Sequence, residues 1–243
     1  LSILLLSSPL FGQSNTKQWT KQLGTTSNDS GEGVTTDSSG NIYVTGITQG
    51  LDGDTEELGL YDIILMKFDL SGKKQWTKQL VTSNRQFDQG SSLFFDSSGN
   101  IYVTGWTGGG LDGNTNMGEY DIFLIKFNSS GTKQWTKQLG TSSLEIGLGV
   151  TTDSSGNIYV TGYTKGGGLD GNTNFGGYDI FLVKFNSSGI KQWTKQLGTS
   201  SMEFGRDLTT DLLGNIYVTG YTKGGLDGNT NSGGKDIFLV KYN

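Results

Sequence analysis

The chain repeats a short pattern of oxygen-bearing side chains at alternate positions. One copy, inside GGLDGNTNMGEYD, carries Asp112, Asn114 and Asn116. A second carries Asp170, Asn172 and Asn174, and a third Asp227, Asn229 and Asn231. A looser and more acidic copy carries Asp52, Asp54 and Glu56. Hard cations such as calcium take six to eight oxygen ligands, and D-x-N-x-N spacing begins such a cage. The chemistry these residues could do is calcium binding. Asp62, Asp121, Asp179 and Asp236, further along each copy, either complete the cage or cap backbone amides.

The pattern departs from the usual twelve-residue calcium loop. Its sixth position is Glu57, Met117, Phe175 or Ser232 rather than Gly, and no Glu stands at the twelfth. The competing expectation is structural. Gly supplies positive φ, Asp and Asn fold back on the backbone as Asx turns, and the opening Leu51, Leu111, Leu169 or Leu226 pins each loop down.

Other chemistry is narrow. The chain has no His and no Cys, which removes His-based triads, Cys nucleophiles, Cys/His zinc sites and disulfides. A carboxylate pair could still serve a glycosidase or lyase. A catalytic constellation should be asymmetric, however, and nearly every carboxylate recurs by repeat, Glu145 and Glu203 included. The expectation is therefore no catalysis. Trp106 breaks the repeat where its counterparts are Ile47, Tyr163 and Tyr221, so it is a candidate for stacking on a sugar or peptide. Arg85 and Arg206 are the only arginines and are candidates for an anionic ligand. Trp19, Trp76, Trp135 and Trp193 recur once per unit and are expected to pack.

The elements that must position these residues also repeat. KQWTKQL starts at Lys17, Lys74, Lys133 and Lys191, and GNIYVTG at Gly40, Gly99, Gly156 and Gly214. DIFLVKF and its variants start at Asp62, Asp121, Asp179 and Asp236. Each unit holds four short strand candidates: Gly149–Asp153, Asn157–Thr164, Asp179–Phe185 and Lys191–Leu197 in the third. The second alternates and is β-branched, and the third is a dense apolar run suited to burial on both faces. DSSGN and NSSG stretches supply tight turns. No segment joins a 3.6 period to capping signals, so almost no helix is expected.

Four consecutive antiparallel strands, repeated, describe the blades of a β-propeller. The unit GVTTDSSGNIYVTG, followed by DIFLVKFNSSG and KQWTKQLG, resembles the bacterial SBBP β-propeller repeat and, more distantly, NHL and YVTN-type repeats. The resemblance covers nearly the whole chain after residue 16. It implies that the first strand of each unit is innermost and the KQWTKQL strand outermost. The expected fold is all-β: a four-bladed propeller of four-stranded blades over 13–243, its ring closed by the N-terminal strand Lys17–Leu23. The alternative is a fragment of a larger propeller, or an open array that pairs with another copy.

That strand order puts the tight turns on one face and the long loops on the other. Rigid scaffolds concentrate binding on long loops. The long-loop face is therefore expected to hold a protein, glycan or ion; a structural assembly role is the alternative. Net charge is −5 with both signs interspersed, so no basic patch offers itself to nucleic acid. The apolar start Leu1–Gly12 is too short to span a bilayer and resembles the end of a signal peptide. With the family resemblance, it points to a secreted, periplasmic or cell-surface protein of a bacterium. Near-identical neighbouring units can exchange strands, so a monomer or a strand-swapped dimer is expected.

Overall fold

The computed structural model describes residues 16–50, 60–82 and 86–243. These form four antiparallel sheets, each built from consecutive strands. Blade 1 contains β1 (Ser30–Thr36), β2 (Ile42–Thr48), β3 (Asp62–Phe68) and β4 (Lys74–Leu80). Blade 2 contains β5 (Asp88–Phe95), β6 (Ile101–Thr107), β7 (Asp121–Phe127) and β8 (Lys133–Leu139). Blade 3 contains β9 (Leu144–Thr152), β10 (Ile158–Lys165), β11 (Tyr178–Phe185) and β12 (Lys191–Leu197). Blade 4 contains β13 (Glu203–Thr210), β14 (Ile216–Thr222) and β15 (Asp236–Tyr242). The all-β class and the four repeated blades agree with the reading of the sequence.

The third strands lie between neighbouring blades, which is why they carry apolar residues on both faces. Ile63 and Leu65 of β3 join Leu93, Val103 and Phe123 of blade 2 in one core, and the same relation recurs at the next two junctions. Each fully buried Ile, Leu or Phe there contributes roughly 1.5–3 kcal/mol. The turns after the first strands are held as the DSSGN motif suggests. In blade 3, Asp153 Oδ1 accepts the N–H of Ser155 and of Asn157, both at 2.9 Å, and Oδ2 accepts the Tyr159 hydroxyl at 2.9 Å.

The first strands begin earlier than their apolar pattern suggests. β9 starts at Leu144 rather than Gly149, and a bulge opposite Thr161 and Gly162 absorbs the added length. Gly162 allows the close approach: a Cβ there would stand 1.8 Å from the Ile146 carbonyl oxygen. One consequence is that Arg206 lies within β13.

Closure of the ring by the N-terminal strand is not shown. Lys17–Leu23 forms no strand, and β15 has no further strand on its outer edge among the described residues. First strands of consecutive blades adjoin, but among the described residues no extended contact joins blade 1 to blade 4. Among the described residues the four blades form an arc whose first and last blades are not joined.

Candidate functional site

Chain order puts the long loops and the blade-to-blade connections on one face. Asp52, Asp54, Glu56 and Arg85 lie outside the described residues. The three other long loops share one geometry. Asp112, Asp170 and Asp227 adopt left-handed φ of 52°, 55° and 49°, a region short polar side chains tolerate best after Gly. Leu111, Leu169 and Leu226 are buried beneath them.

The Asn ligand candidates in these loops, and Asp112 and Asp170, have partners within their own chain. The Asn114 side-chain amide donates to the Leu111 carbonyl at 2.7 Å, as Asn172 does to Leu169 and Asn229 to Leu226. Asn116, Asn174 and Asn231 each accept a glycine N–H two residues on. Asp112 pairs with the Lys133 ammonium and accepts the Thr136 hydroxyl, and Asp170 does the same with Lys191 and Thr194. Burial opposes the charge of Asp112, but the bonds from Lys133 and Thr136 outweigh it and hold the carboxyl below its ordinary range. Carboxylates facing a lysine ammonium make a poor cradle for a cation. Among the described residues no group of three or more acidic side chains converges on a common point.

The aspartates that open the third strands cap backbone amides. Asp121 Oδ2 accepts the Met117 N–H at 2.9 Å and the Gln138 amide at 3.0 Å, and Asp179 serves Phe175 and Gln196 alike. A second set of carboxylates, whose role the sequence did not disclose, stands at the starts of the first strands: Asp29 just before β1, and Asp88, Glu145 and Glu203 within β5, β9 and β13. Each accepts bonds from one threonine before the strand and from another at the end of the second strand, as Glu145 does from Thr141 and Thr164. Asp88, Glu145 and Glu203 are fully buried. Burial pushes Asp88 up to about 6, bonds from Thr107 and Thr82 oppose the rise, and the Asp62 charge adds to it. Burial also raises Glu145 and Asp121. These carboxylates bind the chain to itself. Their regular recurrence was the signal, hidden because the residue is Asp in the first two blades and Glu in the last two.

The groups left for a ligand are aromatic. Trp106, in β6, stands edge-on to Tyr120 with ring centroids 4.5 Å apart. At the blade 3–4 junction Tyr163, Tyr178, Phe204 and Tyr221 form a continuous row, with neighbouring centroids 4.5–5.5 Å apart. All of these rings are half-buried. The Arg206 guanidinium lies 5.4 Å from the Tyr221 ring and the Lys235 ammonium 4.1 Å from it, within cation–π range. Burial raises the Tyr163 hydroxyl above its usual range, and the Arg206 charge opposes the rise. Met117 and Phe175 on the long loops are exposed. The structure thus places Trp106 and Arg206 on one face but in different clusters.

Repeated antiparallel blades with adjoining first strands and loops gathered on one face define a β-propeller repeat protein. A family model described as "SBBP: Beta-propeller repeat" matches residues 18–52, 75–112, 134–170 and 192–227, and the chain belongs to that family. It is 25% identical over 269 aligned residues to an uncharacterized WD repeat-containing protein of Acanthamoeba polyphaga mimivirus, covering 86% of this chain and 19% of that one. It is 26% identical over 162 residues to the regulatory protein FlaEY of Caulobacter vibrioides, covering 60% of this chain and 17% of that one. The chain therefore spans about a fifth of the length of these curated relatives. Among solved structures it is similar to a gluconolactonase of Xanthomonas campestris, with 11% identity, 87% of this chain and 61% of that one covered, and a TM-score of 0.44. No helix among the described residues is long and apolar enough to cross a membrane.

Proposed function

We propose that the chain is a non-catalytic interaction scaffold, exported from a bacterial cytoplasm as its apolar start suggests, whose long-loop face holds a protein or glycan. One observation carries this reading: half-buried aromatic rings stand on the loop-bearing face, Trp106 with Tyr120 in one cluster and the row from Tyr163 to Tyr221, flanked by Arg206 and Lys235, in another. Rigid aromatic rings and arginine supply large contact area at low entropic cost. The tight-turn face is occupied by Asp and Asn side chains bonded to their own turns. The buried carboxylates Asp88, Glu145 and Glu203 are each bonded to threonines of the chain itself.

The test is a binding screen of the 243-residue chain against glycan arrays and bacterial surface extracts. The ligand recovered is then titrated against variants. Trp106→Ala or Arg206→Ala should weaken binding tenfold or more, about 1.4 kcal/mol. Binding that ignores both variants, yet is lost on changing the tight turns, would sink the assignment.

A further inference from the structure

Every internal junction between blades is built in the same way. The third strand of one blade presents an Ile and a Leu two residues apart to the next blade. Ile63 and Leu65, Ile122 and Leu124, and Ile180 and Leu182 are all at most 4% exposed. Blade 4 carries the same pair as Ile237 and Leu239, exposed at 88% and 71%. At the other end of the arc, Val34 is 69% exposed, whereas its counterparts Leu93, Val150 and Leu208 are at most 7%. The arc thus ends in two unlike apolar faces, each one half of a junction that the molecule makes three times.

The strand edges match as well. β4, β8 and β12 share the sequence KQWTKQL and pair with β3, β7 and β11. Lys17–Leu23 has the same seven residues and forms no strand. It nevertheless lies on blade 1 where a preceding blade's fourth strand would lie. Trp19 and Lys21 pack on Gly72 as Trp135 and Lys137 pack on Gly189. It needs only the edge of a third strand.

β15 offers that edge. In blade 2 the fourth strand also holds the loop: Lys133 and Thr136 bind Asp112, and Gln138 donates to Asp121 and accepts the Leu111 N–H. Blade 3 repeats this with Lys191, Thr194 and Gln196. In blade 4 Leu226, Asp227 and Asp236 instead line a groove of about 350 Å³ beside β15. Lys17, Thr20 and Gln22 occupy the matching positions of the N-terminal KQWTKQL.

We propose that a second copy of this chain fills the groove. Lys17–Leu23 of one copy adds to β15 of the other as its fourth strand, and blade 1 of the first seats on blade 4 of the second. Lys17 and Thr20 then meet Asp227, and Gln22 meets Asp236. The occupant is assigned to another copy because Lys17–Leu23 packs on blade 1, which among the described residues makes no extended contact with blade 4. The two surfaces differ, so the contact is heterologous and continues copy to copy until a ring closes.

The test is mass in solution by sedimentation and light scattering across a concentration series. The chain should reach at least twice the 26.1 kDa of one copy. A head variant combines Thr20→Pro, which removes a ladder N–H, with Val34→Asp. A tail variant is Ile237→Lys. All three side chains are exposed, so circular dichroism should stay unchanged. Each variant alone should run at 26.1 kDa. An equimolar mixture should recover a single dimer of one copy each, because one intact head and one intact tail remain. A wild-type chain that stays at 26.1 kDa overturns the proposal, and if Thr20→Pro also lowers its melting temperature, the ring has closed on its own strand. Assembly that survives both variants, or a mixture that stays monomeric, overturns it equally.

Discussion

Replacing Asp88 with Asn should stabilise the protein at neutral pH, by an amount that depends on pH. Asp88 is fully buried at the blade 1–2 junction, and its pKa is raised from 3.8 to about 6, first by burial. A carboxyl whose folded pKa stands above its unfolded value favours the fold when protonated. Its charged form therefore costs stability, fully so above about 6, progressively less down to 3.8, and not at all below. The gap of about two pH units, at about 1.4 kcal/mol each, makes the cost roughly 3 kcal/mol at pH 7.5. Asn keeps the shape. Its oxygen can accept from Thr107, and its amide can donate to the Thr82 hydroxyl, which now bonds Asp88 at 2.8 Å. The Thr82 hydroxyl then accepts rather than donates, as it would toward protonated Asp88, so Asn reproduces the bonding of the neutral acid. Urea unfolding of both proteins at pH 5 and 7.5 reads the difference, and contributions from Glu145 and Asp121 cancel between them. The advantage of Asn should approach ~3 kcal/mol at pH 7.5 and fall to about half at pH 5. Asp29 is the internal control. It holds the same position in blade 1 without a preceding blade, and bonds from Thr48 and Thr25 outweigh its burial and lower its pKa. Asp29→Asn should therefore destabilise at pH 7.5. A destabilised Asp88→Asn protein, or an advantage independent of pH, would refute the reasoning that burial dominates at this junction.

Two further outcomes test the fold and its loops. Gly162→Ala should cost at least ~3 kcal/mol in urea unfolding, because its Cβ would stand 1.8 Å from the Ile146 carbonyl oxygen and the bulge cannot open without breaking the ladder. A loss under 1 kcal/mol would mean that β9 and β10 separate readily. Calcium at several millimolar should leave the melting temperature where magnesium or a chelator leaves it, because Lys133 and Lys191 hold Asp112 and Asp170. Asp112→Ala should speed amide exchange at Leu111–Asn114 by roughly tenfold, while a calcium-specific rise in melting temperature would restore the ion site.

Much of this protein is written in local pattern. Turns such as Asp153–Gly156 form because an Asp side chain reaches amides two and four residues on, an interaction confined to neighbouring residues. The third strands announce their burial because seven residues with two apolar faces have no other stable place. Repetition then makes four copies of one blade, and the family resemblance follows from the same residues. The loop motif was legible in type but not in role. Asp112 reads in sequence both as a calcium ligand and as the partner of a lysine 21 residues away, and it is the pairing of β7 with β8 that sets Lys133 beside it.

The long-range relations could not be read in this way. Asp88 and Asp29 occupy equivalent places in sequence, yet burial by a neighbouring blade moves one carboxyl up while hydrogen bonds hold the other down. The row from Tyr163 to Tyr221 joins two blades, and no spacing within either repeat reveals it. The sequence by itself determined the blade, because hydrogen-bonded ladders and tight turns depend on residues close along the chain. Whether blade 1 meets blade 4 is a different matter: near-identical repeats specify how each blade meets the next, the meeting of first and last depends on three-dimensional geometry, and among the described residues these two blades are not joined.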